Sequence, residues 1–335
     1  MKVVHLVPAM EQGGVESVVC DLNRALALSG WESVVISKGG RLVERIVREG
    51  GRHIALDVKS KNPISYFSRA YALRRILREE RPDLVCAHSR VPAWLFVWAN
   101  RDMGLKWITY AHGANSVSRY SAVMTKGDLI VCPSRFLAEY LKLNYGTTED
   151  RIRVIPNCID AERFDPAKLD QAFVAAKRRE WGINEGERVI MTIGRITPVK
   201  GLDSLLRSLP SDQKLVIVGG ADRHHLDYER RLKEMAGPNV VFAGQQEKIP
   251  ECISIADEVV SANTTKPESF GLSVVEAYAM NKPVRARRFG GVAEIMSAVE
   301  QSGAASLREA VLSLYGFDKM SKRTLAVYRE LLNMI

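Results

Sequence analysis

The 335-residue chain has no Cys-x-x-Cys pair, and its five cysteines (Cys20, Cys86, Cys132, Cys158, Cys252) stand singly. A chelated zinc and a disulfide scaffold are thereby excluded, and the pattern reads as reduced core thiols of a cytosolic protein. No apolar run approaches the roughly 18–20 residues that span a bilayer; the longest, Val91–Ala99, is fenced by Arg90 and Arg101. At the N-terminus, Lys2 precedes a short apolar run that ends before Glu11, too short for a secretory core and suited to a buried strand. Neither G-x-G-x-x-G nor a Walker A loop occurs, which removes most support for dinucleotide enzymes and P-loop NTPases. Short-period repeats, low-complexity tracts and D-x-D triplets are also missing.

What is present is a globular balance, 46% hydrophobic and 26% charged, over about twice the usual single-domain length. Cations exceed anions, 48 to 39, for a net charge of +9. Such a surplus points to an anionic partner: nucleic acid, a membrane surface or a phosphorylated ligand. Short β-type runs alternate with amphipathic stretches, as in parallel α/β architecture. Strands are expected at Val3–Val7, Ser33–Ser37, Arg52–Leu56, Leu84–Ala87, Trp107–Tyr110, Leu129–Cys132 and Arg153–Ile155. A second series is expected at Arg188–Ile193, Lys214–Val218, Val240–Ala243, Glu258–Ala262 and Pro283–Ala286. The polar stretch at about 163–185 reads as the boundary, giving domains 1–165 and 166–316 and a basic amphipathic helix within 317–335. Two Rossmann-like halves result, and the cleft between them is the default ligand site.

Several local patterns could carry chemistry. Gly13-Gly14 follows the first strand and opens a helix, where bare N–H groups favour a phosphate or a sugar hydroxyl; a tight βα turn is the plain alternative. Arg195 and Lys200 lie between Gly194 and Gly201, after the first strand of the second half. A planar fork and a mobile point charge there suit a diphosphate, although a solvated basic loop would look the same. Glu268 and Glu276 flank the helix start at Phe270-Gly271-Leu272, where carboxylates can accept sugar hydroxyls or merely cap and solvate. His112 and His88 both follow strand ends, and His112 is the one expected to face ligand.

Together these residues resemble glycosyltransferase family 4, the retaining nucleotide-sugar transferases of the GT-B fold. The matches run in family order: Gly13-Gly14-Val15-Glu16, Ala111-His112-Gly113, Ser134, Val154-Ile155-Pro156-Asn157 with Asp160 and Phe164, and Gly194-Arg195 to Lys200-Gly201. Val216–Gly219, the Glu268…Glu276 element and Gly290-Gly291 with Glu294 complete the set. The resemblance implies two Rossmann-like domains with a deep cleft and a C-terminal helix crossing back to the first. It implies that Arg195 and Lys200 hold the donor diphosphate, Glu276 the ribose hydroxyls and Glu268 the transferred sugar. Backbone around Phe270, Gly271 and Leu272 would bind sugar or phosphate, Gly13 and Gly14 would approach the donor, and His112 would contact the sugar. The implied reaction is retaining hexosyl transfer from a nucleotide diphosphate, a UDP-sugar being the expected donor, with no metal or other cofactor. Cys158 replaces the family's usual glycine, Arg285, Arg287 and Arg288 replace small or apolar residues, and Ile295–Ser306 is shortened relative to the family pattern.

The phrase His88-Ser89-Arg90-Val91-Pro92-Ala93-Trp94 resembles bacterial transferases of lipopolysaccharide core and related envelope glycans, which implies a glycan or lipid-linked acceptor. Residues 1–165 hold 24 cations and 18 anions. Arg69, Arg74, Arg75, Arg78 and Arg81, interleaved with Tyr66, Phe67, Tyr71 and Leu77, form either a solvated helix or a face for the anionic inner surface of the cytoplasmic membrane. The expected location is cytoplasmic, with peripheral membrane contact. An epimerase-like enzyme of the same fold and a non-catalytic sugar-binding relative are the rival readings; no nucleic-acid reader motif appears.

Overall fold

A computed structural model describes every residue except Gln12, Thr264 and Ile335. Among the described residues the strands form two parallel sheets in two compact units. The first unit comprises Met1–Cys158 and the segment from Phe317 onward, and the second is Ile159–Gly316.

The first sheet contains β1 (Lys2–Leu6), β2 (Glu32–Ser37), β3 (Arg52–Ala55), β4 (Leu84–Ala87), β5 (Trp107–Tyr110), β6 (Leu129–Cys132) and β7 (Ile152–Val154). Their spatial order is β3-β2-β1-β4-β5-β6-β7. The second contains β8 (Arg188–Ile193), β9 (Gln213–Val218), β10 (Val240–Gly244), β11 (Glu258–Ser261) and β12 (Val284–Ala286), ordered β10-β9-β8-β11-β12. Helices cover both faces, so the strands read as unbroken apolar runs rather than alternating ones. Val4 and Leu6 enter one core layer and Val3 the opposite one, the two-residue period expected of a pleated strand. In each sheet the chain reverses its winding beside the first strand, between β1 and β4 and between β8 and β11, the crevice where open α/β sheets bind ligands.

The strands match the sequence reading to within a residue or two. The polar stretch at 163–185 does not read as expected: it holds a helix, Gln171–Glu180, capped by the Asp170 side chain accepting from Phe173 N. Lys177 of this helix lies over the rings of Phe173 and Trp181, and Lys248, from another segment, lies over Phe173. Trp181 and Ile183 are buried in the second unit's core, as are Ile159 and Phe164. The expected boundary at 165/166 thus lies inside the second unit. Arg308 reinforces this, donating to the carbonyls of Ala161, Phe164 and Ala279.

The terminal helix Phe317–Leu331 packs on helix Gly14–Leu28 in the first unit. Its anchor is fully buried Tyr328, whose hydroxyl lies 2.7 Å from that of Tyr110 and accepts from Cys86 Sγ at 3.3 Å. All five cysteines are buried, and none forms a disulfide among the described residues. No strand follows β12 among the described residues; helix Gly291–Glu300 leads by a short turn to helix Leu307–Tyr315. Arg285 pairs with Glu258 at 3.2 Å, Arg288 pairs with Glu300, and Arg287 lies over Phe289.

The expected basic face is only partly a face. Arg69 is buried, and its guanidinium is spent on the carbonyls of Ser65, Asp57 and Asn62. Arg74 donates to Ala99 O and to Asp102. Leu77 belongs to the core, and Tyr66 donates to Trp94 O. Arg75, Arg78 and Arg81 remain at the surface with Phe67 and Tyr71. Among the described residues no helix is long and apolar enough to cross a membrane.

Candidate active site

In the second unit two loops meet beside the β8/β11 reversal. The first leaves β8 at Gly194 and carries Arg195 and Lys200. It is stitched to the end of β9, with Gly194 N–H donating to Val218 O at 2.9 Å and Ile196 N–H to Gly220 O at 3.0 Å. Gly219 adopts φ +135°, and a Cβ there would stand 1.9 Å from Gly194 O. Glycine is required at this contact both by conformation and by space. Gly219→Ala is expected to cost about 2–3 kcal/mol and to lower the melting temperature by about 5–10 °C, measured by calorimetry. The loop closes with a short turn, Pro198–Lys200, and Gly201 at φ +62° opens helix Leu202–Arg207.

The second loop leaves β11 and carries Glu268. It is held against the start of helix Gly291–Glu300 by Gly291 N–H donating to Glu268 O at 2.8 Å. A Cβ on Gly291 would lie 2.4 Å from Ser269 O, which explains the Gly290-Gly291 pair. Gly271, at φ +118°, then turns the chain into helix Leu272–Ala279. The first N–H groups of that helix have no partners within it and point back over the loop. Phe270 is buried edge-on against Tyr315, ring centroids 5.6 Å apart, so it offers a ligand only its backbone. Leu272 and Glu276 are half-buried on the same helix.

Among the described residues one ion pair joins the loops. Lys200 Nζ donates to Glu268 Oε1 at 2.5 Å, with the side chains 27% and 16% exposed. Arg195 is exposed and makes no side-chain bond among the described residues. The four charged residues named from the sequence in this unit therefore form a graded set: exposed Arg195, the paired Lys200 and Glu268, and Glu276 on the helix behind. Such a set can neutralise a diphosphate while orienting a polyhydroxylated group beside it.

In the first unit His112 follows β5 and is half-buried in a small pocket shared with Tyr110, Pro133, Asn157 and Thr324. His88, the other sequence candidate, is 3% exposed and packed between rings. Its Nδ1 lies 3.0 Å from His112 Nε2, and its Nε2 lies 3.0 Å from Nδ1 of fully buried His5. His5 was invisible as a site residue because it sits inside an apolar strand; a lone histidine in such a run was the available signal. Burial pushes His5 down to about 3 and His112 down to about 4, and His88 well below the usual histidine value. All three rings are neutral at pH 7.

Gly13 caps helix Gly14–Leu28 in ordinary extended conformation, φ −178°, and Gly14 is exposed. A Cβ at Gly13 would meet the Glu16 carboxylate at 2.4 Å, so its own helix takes up the space beside it.

Two parallel α/β units, one with a cationic and an acidic loop at its switch point, define the GT-B class of glycosyltransferases. A solved glycosyltransferase from Rickettsia africae matches with TM-score 0.80 at 25% identity, covering 99% of this chain and 98% of that one. The Anabaena protein HepE, solved in complex with UDP-glucose, matches with TM-score 0.74 at 18% identity over 100% and 99%. The model for Glycosyltransferase Family 4 matches residues 12–163, and that for Glycosyl transferases group 1 matches residues 173–306. The chain belongs to the family-4 type of glycosyltransferases. A D-inositol 3-phosphate glycosyltransferase of Nocardia farcinica is 32% identical over 55% of this chain and 42% of its own length. A lipopolysaccharide 1,2-N-acetylglucosaminetransferase of Salmonella typhimurium is 26% identical over 70% and 62%. The chain spans less than two thirds of the length of either relative.

Proposed function

We propose that this protein is a retaining transferase that moves a hexosyl group from a UDP-sugar to a glycan or lipid-linked acceptor of envelope-glycan type. The observation that carries the reading is the Lys200–Glu268 pair at the sheet reversal with exposed Arg195 on the same loop. Breaking the anomeric C–O bond leaves negative charge on the departing diphosphate and positive charge on the sugar. Arg195, Lys200 and the amides of Gly271 and Leu272 meet the first; Glu268 holds a sugar hydroxyl, and Glu276 the ribose. His112 is taken as a contact to the transferred sugar. The acceptor hydroxyl attacks on the face the diphosphate leaves and gives its proton to the departing phosphate oxygen, which keeps the anomeric configuration, and no metal or other cofactor takes part. The UDP assignment is supported by the nucleotide sugar bound to the Anabaena structure, and the acceptor class by the lipopolysaccharide relative.

A peripheral contact with an anionic membrane is part of the same reading. Ile64, Phe67 and Tyr71 are 90%, 62% and 64% exposed, and Arg75 and Arg78 lie on the same helix as Phe67 and Tyr71. The test of the donor site is a thermal-shift screen of nucleotide sugars. A UDP-sugar at about a hundredfold over its dissociation constant should stabilise the protein by about 2.7 kcal/mol, and Glu276→Ala should weaken that shift. If no nucleotide sugar raises the melting temperature, the donor assignment is wrong.

A further inference from the structure

Three histidines from neighbouring strands form one continuous chain of hydrogen bonds, and the chain has a direction. His5 lies within β1, His88 follows β4 and His112 follows β5, strands adjacent in the order β1-β4-β5. The His88 N–H donates to Leu6 O at 3.0 Å, which continues the β1–β4 ladder and sets the His88 ring beside His5. The rings of His88 and His112 stack with centroids 5.3 Å apart, and Tyr110 stacks on His88 at 4.6 Å. They are strung end to end rather than converged on one point, and among the described residues no metal-holding group of His, Cys, Asp or Glu occurs.

Each neutral imidazole carries one N–H and one bare nitrogen. Two contacts, His5 Nδ1 to His88 Nε2 and His88 Nδ1 to His112 Nε2, must each hold one proton. The protons can therefore point only inward or only outward along the chain. Pointing inward, His112 donates to His88 and His88 donates to His5. The His5 proton is then forced onto Nε2, which is buried without a partner among the described residues. Pointing outward, that atom is a bare lone pair instead. A buried N–H with no acceptor is the rarer and costlier defect, so the outward polarity is favoured. Full burial of His5 and His88 and partial burial of His112, with no carboxylate among their hydrogen-bond partners in the described residues, keep the rings neutral and leave the alternation intact.

We propose that His5 and His88 are positioning residues that hold His112 as the Nδ1–H tautomer, so that it meets the transferred sugar as a neutral hydrogen-bond donor. The proposal rests on the reading of His112 as the residue that contacts that sugar. Unconstrained histidine in water prefers the opposite tautomer, with the proton on Nε2, so the relay reverses an intrinsic preference. His5 does so from two rings away, without touching substrate.

The experiment is two-bond proton–nitrogen NMR of the full chain labelled at histidine, at pH 7, with wild type, His5→Leu and His5→Asn. Wild type should show Nδ1 protonated and Nε2 bare in His5, His88 and His112. His5→Leu removes the first donor, and His112 should shift toward Nε2–H. His5→Asn can place an amide N–H where Nδ1 stood and should restore the wild-type pattern. In parallel, UDP release from UDP-glucose without acceptor should fall about five- to tenfold in kcat for His5→Leu, the size of one neutral hydrogen bond. KM should change little, and activity should recover in His5→Asn. A wild-type His112 carrying its proton on Nε2, or a His112 tautomer unmoved by His5→Leu, overturns the relay. A tautomer that moves while kcat does not overturns its part in catalysis. The tautomer measurement needs no donor, so a protein that binds no nucleotide sugar would sink the proposed function and still decide the relay.

Discussion

Lys200→Ala is expected to reduce sugar transfer by about a hundred- to a thousandfold in kcat, the usual cost of removing one preorganised charge at a developing anion. Lys200 is the cation the fold has gone furthest to aim. Its loop is fastened to β9 through Gly194 and Gly219, its turn is ended by Gly201, and its amine is held 2.5 Å from Glu268. On the proposed reading, Glu268 keeps the ammonium extended where the diphosphate would lie. Donor binding would then exchange one carboxylate partner for a diphosphate without a search through lysine rotamers. Lys200→Arg should recover only part of the loss, because a planar fork prefers to chelate Glu268 and reaches further. Glu268→Ala should also impair transfer, through the sugar it holds and the amine it steadies. The double variant should be no worse than the poorer single one, as coupled partners are non-additive. Because the pair is partly solvated, the fold should survive each change with a small shift in melting temperature. Release of UDP measured beside circular dichroism separates these effects. Wild-type turnover in Lys200→Ala would dismiss the donor-site reading.

Acidification should destabilise the first unit well before its carboxylates titrate. In the unfolded chain His5, His88 and His112 protonate near the ordinary histidine value of about 6.5. In the folded unit burial lowers His5 to about 3 and His112 to about 4, with His88 also well below. Between about pH 6.5 and 4 the unfolded state therefore binds more protons than the native state, and stability must rise with pH across that window. The stabilisation is fully present above the unfolded value and drains away as pH falls toward the folded values. Each histidine contributes about 1.4 kcal/mol per pH unit at full slope. Three together would remove much of a typical domain's 5–15 kcal/mol by about pH 5. Urea denaturation followed from pH 7.5 to 5 measures this slope directly. His5→Leu should cut it by about a third. A flat profile would mean that the rings accept protons in the folded state.

The sequence reading and the structure part company at identifiable residues. The strand series, the helix starting at Leu272 and the glycine-bounded loops were legible because periodicity and backbone conformation are local properties. Gly219 and Gly291 were legible as motif members, but not for the reason that makes them necessary, which is a carbonyl from another segment lying within 2.4 Å of an absent Cβ. Arg69 read as part of a basic face, yet carbonyls folded back from Asp57 and Asn62 bury it. Helix Gln171–Glu180 read as a linker because it lies in a polar stretch rich in Lys and Arg. Tertiary contacts reverse that by burying Trp181 and Ile183 in the core and laying the Lys177 ammonium over Phe173 and Trp181.

Taken by itself, the sequence determined the architecture class, the two-unit plan, and which residue types stand at strand ends. These follow from hydrophobic period, chain length and the positions of glycine. Only the tertiary structure decided which of those residues meet. Lys200 and Glu268 pair across 68 positions, and His5 and His88 across 83, because strand order brings β8 beside β11 and β1 beside β4. Strand order is a property of how the whole sheet packs, and no local stretch of chain encodes it. The same ordering turns a histidine buried in an apolar strand into the inner end of a chain that reaches His112.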